Sequence, residues 1–496
     1  MKLYFEAEKY LRSSGNERGS LQSRIFNEKS LTNSPKHVFA LVISTLKYKE
    51  YIVKVIKASK LKASPIIKKL RVTDEMLWLL THDLLFQAKG RIQSGKHPIK
   101  DAFLQHKTRL TSELIKLKLK YKIKSVEEFP NLKGQNDETP IRWFRVNQIK
   151  ITTAVFFEKY DFFKKLQPVS DISEITSTGF LYQDDFVPNL YGVHNRELIM
   201  KSDAYAKGEL IIQDRASCFP GHILFNDPQF QPTHIIDACA APGNKTTHTA
   251  SYLYDKPSSV VYAFERDNKR VEILKKMCNL ASNKPNLIQI THADFTSVNP
   301  NDFKDIEALV VDPSCSGSGI FGRAIEDSLE QHKEEISTER LNKLSRFQFS
   351  IMKHALSFPG AKKVVYSTCS IHAEENERVV VDLLLDENVK KAGWTLAPRN
   401  VVISTWPRRG WPQEFTALQE EGRSVGDLAG GCVRAVAKED GGIGFFAACF
   451  VRREAASRGE GEEKEEQEQE LELEDELEEE EQEEEQEEED WTGFGP

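Results

Sequence analysis

Residues 233–265 read THIIDACAAPGNKTTHTASYLYDKPSSVVYAFE, and the way this stretch folds decides the architecture around it. HIID is a short apolar run closed by an acid. A loop of small residues follows, then NKTTHTASYLY, which has the length of a short helix, and then SVVYAFE, a second β-branched run. Strand, helix and strand at these lengths form the repeating unit of a parallel sheet. The alternation continues downstream. NKRVEILKKMCNLAS (268–282), LNKLSRFQFSIMKHALSF (341–358) and EENERVVVDLLLD (374–386) carry apolar residues at helical spacing, whereas LIQITHADF (287–295), ALVVDPS (308–314) and KKVVYSTCS (362–370) are strand-like. The pattern predicts an α/β fold: a doubly wound, Rossmann-like, mostly parallel sheet over residues 206–455. Such a sheet binds its ligands beyond the carboxyl ends of its strands.

Upstream the periodicity changes. HVFALVISTLKYKEYIVKVIKA (37–58) and EMLWLLTHDLLFQAKG (75–90) place apolar residues every three or four positions with lysines between them, predicting a basic helical domain over residues 1–137. ETPIRWFRVNQIKIT (138–152) is strand-like and TAVFFEKYDFFKKL (153–166) helix-like, predicting a small α/β module over residues 138–205. The formal charge of −8 conceals an asymmetry: residues 460–490 hold 22 acids and one lysine, so the rest of the chain is positive by 13. Residues 1–150 alone hold 31 Lys and Arg against 14 Asp and Glu. A basic half with an acidic tail (456–496) points to a polyanionic partner, foremost nucleic acid, for whose binding surface the tail competes. Such a tail cannot bury a core and reads as disordered.

Seven cysteines stand singly, with no C-x-x-C pair to suggest zinc and no framework to suggest disulfides. Neither a secretory leader nor an apolar run of about 18 residues occurs. The expectation is a soluble protein of a reducing, intracellular compartment, without membrane or metal.

The loop after the first strand, Cys239, Ala240, Ala241, Pro242, Gly243, Asn244 and Lys245, is neither G-x-G-x-x-G nor a Walker phosphate-binding loop. Its small residues let the backbone approach a ligand, and the amides at the start of the following helix favour an anionic group. Glu265 closes the next strand, 22 residues beyond Gly243, where a carboxylate can accept hydrogen bonds from both ribose hydroxyls. A nucleoside carrying a carboxylate but no phosphate fits, and S-adenosylmethionine is such a molecule. Arg270 and Asp294 are candidates to complete the adenosine pocket.

Two cysteines follow apolar runs in similar settings, Cys315 in ALVVDPSCSGSG and Cys369 in KKVVYSTCS. The set PGNKT, DPSCSGSG and STCS followed by EENE, with IIQDRAS upstream and CVRAVAKEDGGIGFFAACF downstream, resembles the Sun-type (Fmu/Sun) RNA cytosine C5 methyltransferases over residues 138–452. PGNKT, where many relatives carry a second glycine, is similar to the eukaryotic subgroup acting on large-subunit ribosomal RNA. The resemblance implies that Cys369 attacks cytosine C6, that Cys315 assists proton removal and product release, and that Asp312 holds the N4 and N3 edge of the base while lying against the cofactor. It further implies an RNA substrate, a nuclear, nucleolar location and a monomer. A thiol of ordinary pKa, about 8.5, is only a few per cent thiolate at neutral pH, and Lys245 is the expected positive neighbour. Arg142, Phe144, Arg145 and Asn147 are expected to contact RNA, although Phe144 reads equally as core. Asn376 and the acids of EENE are expected to cap the following helix and shape the cysteine loop. Three alternatives stand beside this reading: a tRNA cytosine C5 methyltransferase, a ribosome-assembly scaffold whose methylation is dispensable, and a DNA-type enzyme with Cys315 as nucleophile, against which STCS speaks.

Overall fold

The computed structural model describes residues 1–12, 21–26, 28–130, 141–320, 338–421 and 424–453, so the acidic tail expected at 456–496 lies outside the described residues. Helices Lys2–Arg12, Pro35–Lys47, Lys49–Ala58, Asp74–Thr81 and Lys107–Tyr121 pack around a core of their own, with Tyr4, Val42, Ile52, Leu79 and Phe129 at its centre. Lys49–Ala58 buries Tyr51, Ile52, Val55 and Ile56, the spacing of one helix face, and leaves its lysines outside. Asp74–Thr81 begins at Thr73, whose hydroxyl accepts from Met76 N at 3.2 Å, and ends in a single π turn at His82–Phe86.

A five-stranded sheet follows, built of β1 (Ile141–Val146), β2 (Gln167–Val169), β3 (Phe180–Gln183), β4 (Leu190–His194) and β5 (Leu210–Ile212) in the order β2-β3-β4-β1-β5. It runs past residue 205 into β5, which pairs antiparallel with β1. With β4 on its other edge, β1 is hydrogen-bonded on both sides. This corrects the RNA-facing reading of its residues. Phe144 is fully buried and stacks on Tyr191 with ring centroids 5.6 Å apart. Arg145 is 2 % exposed and donates to Gln213 Oε1 at 2.8 Å and to Thr247 Oγ1 at 2.7 Å, and burial lowers its pKa to about 10. Asn147, also buried, donates through Nδ2 to the carbonyls of Gly208 at 2.8 Å and Ala281 at 2.7 Å. Arg142 alone of the four is partly accessible.

The larger sheet comprises β6 (His234–Asp237), β7 (Val260–Glu265), β8 (Ile288–His292), β9 (Ala308–Val311), β10 (Lys363–Thr368), β11 (Trp394–Leu396), β12 (Cys432–Ala435) and β13 (Phe445–Arg452). Its order is β11-β13-β10-β9-β6-β7-β8, with β12 also on β13. Strands β8, β7, β6, β9 and β10 are parallel, and β13 runs antiparallel to β10. Both faces of the central strands β6, β7, β9 and β10 are covered, which explains their uninterrupted apolar runs. Leu309 and Val311 of β9, with Val364 and Tyr366 of β10, enter one core; Ala308, Val310 and Val365 enter the other. Four helices matter below: α1 (Asn244–Ser251), α2 (Asn268–Ala281), α3 (Thr338–Leu356) and α4 (Glu377–Leu385). From β6 the chain proceeds to β7 on one side and later to β9 on the other, so the strand order reverses between β6 and β9 and opens a crevice at their carboxyl ends.

Candidate active site

A cleft of about 400 Å3 lies at this crevice. Cys239, Ala241 and Pro242 line it from the loop after β6, Glu265 from β7 and Arg270 from α2; Asp294 follows β8, Asp312 and Cys315 follow β9, and Cys369 follows β10. The other expected residues of the loop stand behind this wall. Ala240 is buried with its N–H donating to Phe264 O at 2.9 Å, and Asn244 and Lys245 form the first turn of α1. Gly243 sits at a φ of +113°, where a Cβ would lie 3.0 Å from Met277 Cγ and 3.1 Å from Leu274 Cδ1, so both conformation and space call for glycine.

At one end of the cleft Glu265, 5 % exposed, accepts from Asp267 N at 2.9 Å, and Arg270 comes within 3.4 Å of its other oxygen. Arg270 also donates to Ala241 O, tying α2 to the loop. Asp294 accepts from Thr296 Oγ1 at 2.8 Å and Thr296 N at 3.0 Å, and these bonds hold its pKa below the usual carboxylate value. Phe295, Phe347, Ile351 and Pro313 supply apolar wall. A buried carboxylate beside an apolar, partly aromatic slot suits a ribose with its base, so the residues fit S-adenosylmethionine. Sequence reasoning missed Phe347 and Ile351, because only the fold brings α3 over this loop. It also missed Asp237 at the end of β6, whose pKa burial raises to about 6 and which accepts from Thr246 Oγ1 at 2.7 Å.

At the other end Cys315 and Cys369, both free thiols, stand with their Sγ atoms 3.2 Å apart. The hydrogen bond to Cys369 and burial push the Cys315 pKa up. Asp312 is fixed on both oxygens, by Lys245 Nζ at 2.8 Å and by the Ser367 hydroxyl at 2.6 Å. Burial opposes the charge of Lys245, but Asp312 and then Cys369 outweigh it and raise its pKa, so the lysine stays protonated beside the thiols. Lys245 also donates to Ser217 Oγ at 3.2 Å, which gives the IIQDRAS segment a place at the site. Ser367 went unnoticed in the sequence although it lies in the strand just before Cys369.

The two thiol loops are sewn together by buried polar groups. Glu375 accepts from Ser316 N at 2.8 Å and from Gln348 Nε2 at 3.0 Å, and Gln348 Nε2 also reaches Ser314 O at 3.1 Å. Gly319 N donates to Cys369 O at 2.9 Å, and Ile371 N to Ser318 Oγ at 3.0 Å. Asn376 accepts from Thr368 Oγ1 at 2.5 Å and donates to Ser370 O at 3.0 Å. The expected shaping of the cysteine loop by EENE is thus seen, while the expected capping is corrected: Asn376 precedes α4 without a side-chain cap, because its amide is already engaged in the loop. Glu377 instead forms a buried bidentate pair with Arg434, whose NH1 holds Ile371 O at 3.1 Å. The face of Arg434 lies 3.7 Å from the centroid of Trp411.

Comparison with known proteins adds to this geometry. Residues 224–417 match the family described as 16S rRNA methyltransferase RsmB/F, and residues 36–129 match the N-terminal domain of NOL1/NOP2/Sun domain family member 5. The chain is 38 % identical over 452 residues to the 25S rRNA (cytosine-C(5))-methyltransferase rcm1 of Schizosaccharomyces pombe, covering 90 % of this chain and 91 % of that protein. It is 32 % identical over 468 residues to the 28S rRNA (cytosine-C(5))-methyltransferase of Mus musculus, covering 92 % of each. The crystal structure of PH0851 superposes with a TM-score of 0.56 at 19 % identity over 91 % of this chain and 98 % of that one, a likeness of fold.

Proposed function

Because this chain belongs to the Sun-type RNA cytosine C5 methyltransferases, we propose that it forms 5-methylcytosine in large-subunit ribosomal RNA and that Cys315 and Cys369 are its reaction centre. One observation carries the assignment of the centre: two thiols in contact, in a cleft that also holds the carboxylate of Asp312, which Lys245 pairs from behind the wall. The relatives matched over nine-tenths of their length support the substrate, and an rRNA substrate in turn suits a nuclear, nucleolar place of work.

Cytosine C5 is a poor nucleophile until a thiolate adds to C6. Cys369, just after β10, makes that addition, and Lys245 favours its ionised form. S-adenosylmethionine, held by Glu265, Arg270 and the Cys239–Pro242 loop, supplies the methyl group when bound. Asp312 accepts from the N4 amino group and favours a proton on N3 as the adduct forms; Lys245 and Ser367 keep its carboxylate from turning away. Once C5 carries both hydrogen and methyl, the proton must leave so that its electron pair can restore the C5–C6 double bond and expel Cys369. Cys315 stands beside Cys369 and takes that proton as its thiolate, becoming a neutral thiol; its raised pKa makes that thiolate the more basic of the two sulfurs. The target base reaches the cleft unstacked, which costs a few kcal/mol, and least in loosely paired RNA.

Bisulfite mapping of large-subunit rRNA from cells with and without this protein should show one cytosine that becomes convertible when the protein is absent. An unchanged map would overturn the substrate. For the cofactor, Glu265→Ala should weaken S-adenosylmethionine binding by about 1.5–3 kcal/mol, the range for hydrogen bonds to a charged group. Calorimetry measures this directly, and equal affinity in the two proteins would move the ribose away from β7.

A further inference from the structure

The helical unit carries a second cleft, of about 560 Å3, that the reaction above does not use. Leu84, Ile92 and Leu104 line it with apolar groups, Arg91, Lys100 and Lys107 line it with cations, and no carboxylate is among its lining residues. From Leu84 to Lys100 the sequence holds Lys89, Arg91, Lys96 and Lys100 and neither Asp nor Glu. Lys100 Nζ donates to Ser94 O, and among the described residues no ion pair involves Arg91 or Lys107.

The loop that presents these cations is anchored from below. Gln93 N donates to the Tyr4 hydroxyl at 2.7 Å, and that hydroxyl donates to Asp83 at 2.5 Å. Asp83 is itself buried, within the π turn His82–Phe86, so its carboxylate fixes the loop without facing the cleft's cations from the solvent side. Like charges held together on a fixed backbone repel one another, and the repulsion is relieved when a polyanion enters. Apolar lining beside the cations suits a ligand that offers sugar and base together with phosphate.

We infer that this cleft seats a single-stranded segment of the RNA substrate, with phosphates against Arg91, Lys100 and Lys107 and a base or ribose face against Leu104, above the buried floor of Leu84 and Ile92. The inference rests on RNA being the substrate and adds where, away from the thiols, it is gripped. The test is titration of a single-stranded fluorescent RNA with the full-length protein over a range of salt. Removing two phosphate contacts in the double variant Arg91→Ala, Lys107→Ala should weaken binding about tenfold at low salt and lower the slope of log affinity against log salt by about 1.4. The exchange Arg91→Lys with Lys107→Arg should retain the affinity. A charge-matched control, Lys276→Ala with Lys304→Ala, removes two exposed cations elsewhere and should change little. Binding within twofold of wild type at every salt, or an equal loss in the control, would overturn the site. Methylation of large-subunit rRNA by the wild type, measured alongside, tells failure of this cleft from failure of the substrate assignment.

Discussion

Cys369→Ala is expected to abolish methylation and to leave no covalent protein–RNA complex, whereas Cys315→Ala is expected to accumulate that complex with the methyl group already on the base. The difference follows from position. Without the thiol just after β10, nothing adds to C6 and the ring never becomes nucleophilic. Without its neighbour at 3.2 Å, addition and methyl gain proceed, but the C5 proton has no acceptor and the C6–sulfur bond persists. A denaturing gel of each variant incubated with RNA and methyl-labelled cofactor reads the outcome: a slow, labelled band lost on RNase treatment is the trapped complex. Such a band from the Cys369 variant and none from the Cys315 variant would exchange the two roles.

The second large effect concerns stability rather than chemistry. Glu377 is fully buried and accepts from Arg434 on both oxygens, at 2.6 Å and 2.5 Å, and Trp411 N donates to it at 3.0 Å. Replacing Glu377 by alanine leaves a buried guanidinium without its counter-charge, which costs about 3–5 kcal/mol when one partner of such a pair is removed. Arg434 also holds Ile371 O, two residues beyond Cys369, so the loss should reach the thiol loop before the sheet. Chemical denaturation should show the midpoint moving well down, and Glu377→Ala, Arg434→Met together should recover part of it. A Glu377→Ala protein as stable as wild type would mean that the pair contributes nothing net.

How much of this was legible beforehand depended on whether a signal was local. HIID, ALVV and KVVY announce strands because burial on both faces demands unbroken apolar runs, and the strand-end positions of Glu265, Asp312 and Cys369 follow from that. The same logic found the strand in IRWFRV, but not which way its residues face. Arg142, Phe144, Arg145 and Asn147 read as a face for RNA, yet Gln213 and Thr247, distant in the sequence, give Arg145 hydrogen-bond partners and allow its burial. For Glu375 the expected shaping of the cysteine loop holds, and only the capping role does not. Its partners Ser316 and Gln348 lie 59 and 27 residues away, and nothing local distinguishes a loop-bridging carboxylate from a capping one. Phe347 and Ile351 reach the cleft from α3, whose approach is set by the packing of Met352, Ala355 and Leu356 rather than by a motif.

The seam between the two sheets governs where the chain can be divided. Trp143 Nε1 donates to Gly441 O at 2.7 Å, Asn147 reaches Ala281 O, and Asp214 accepts from Ile443 N at 3.2 Å while occupying the space a Cβ on Gly442 would need. Each of these bonds joins segments at least 134 residues apart. Strands β1 to β5 therefore melt together with the sheet that bears the thiols, as one cooperative unit, while the helices with their separate core can open on their own. A truncation made to isolate the catalytic part must begin before Ile141; one that begins after β5 strips the partners from Thr247, Ala281 and Gly441 at once.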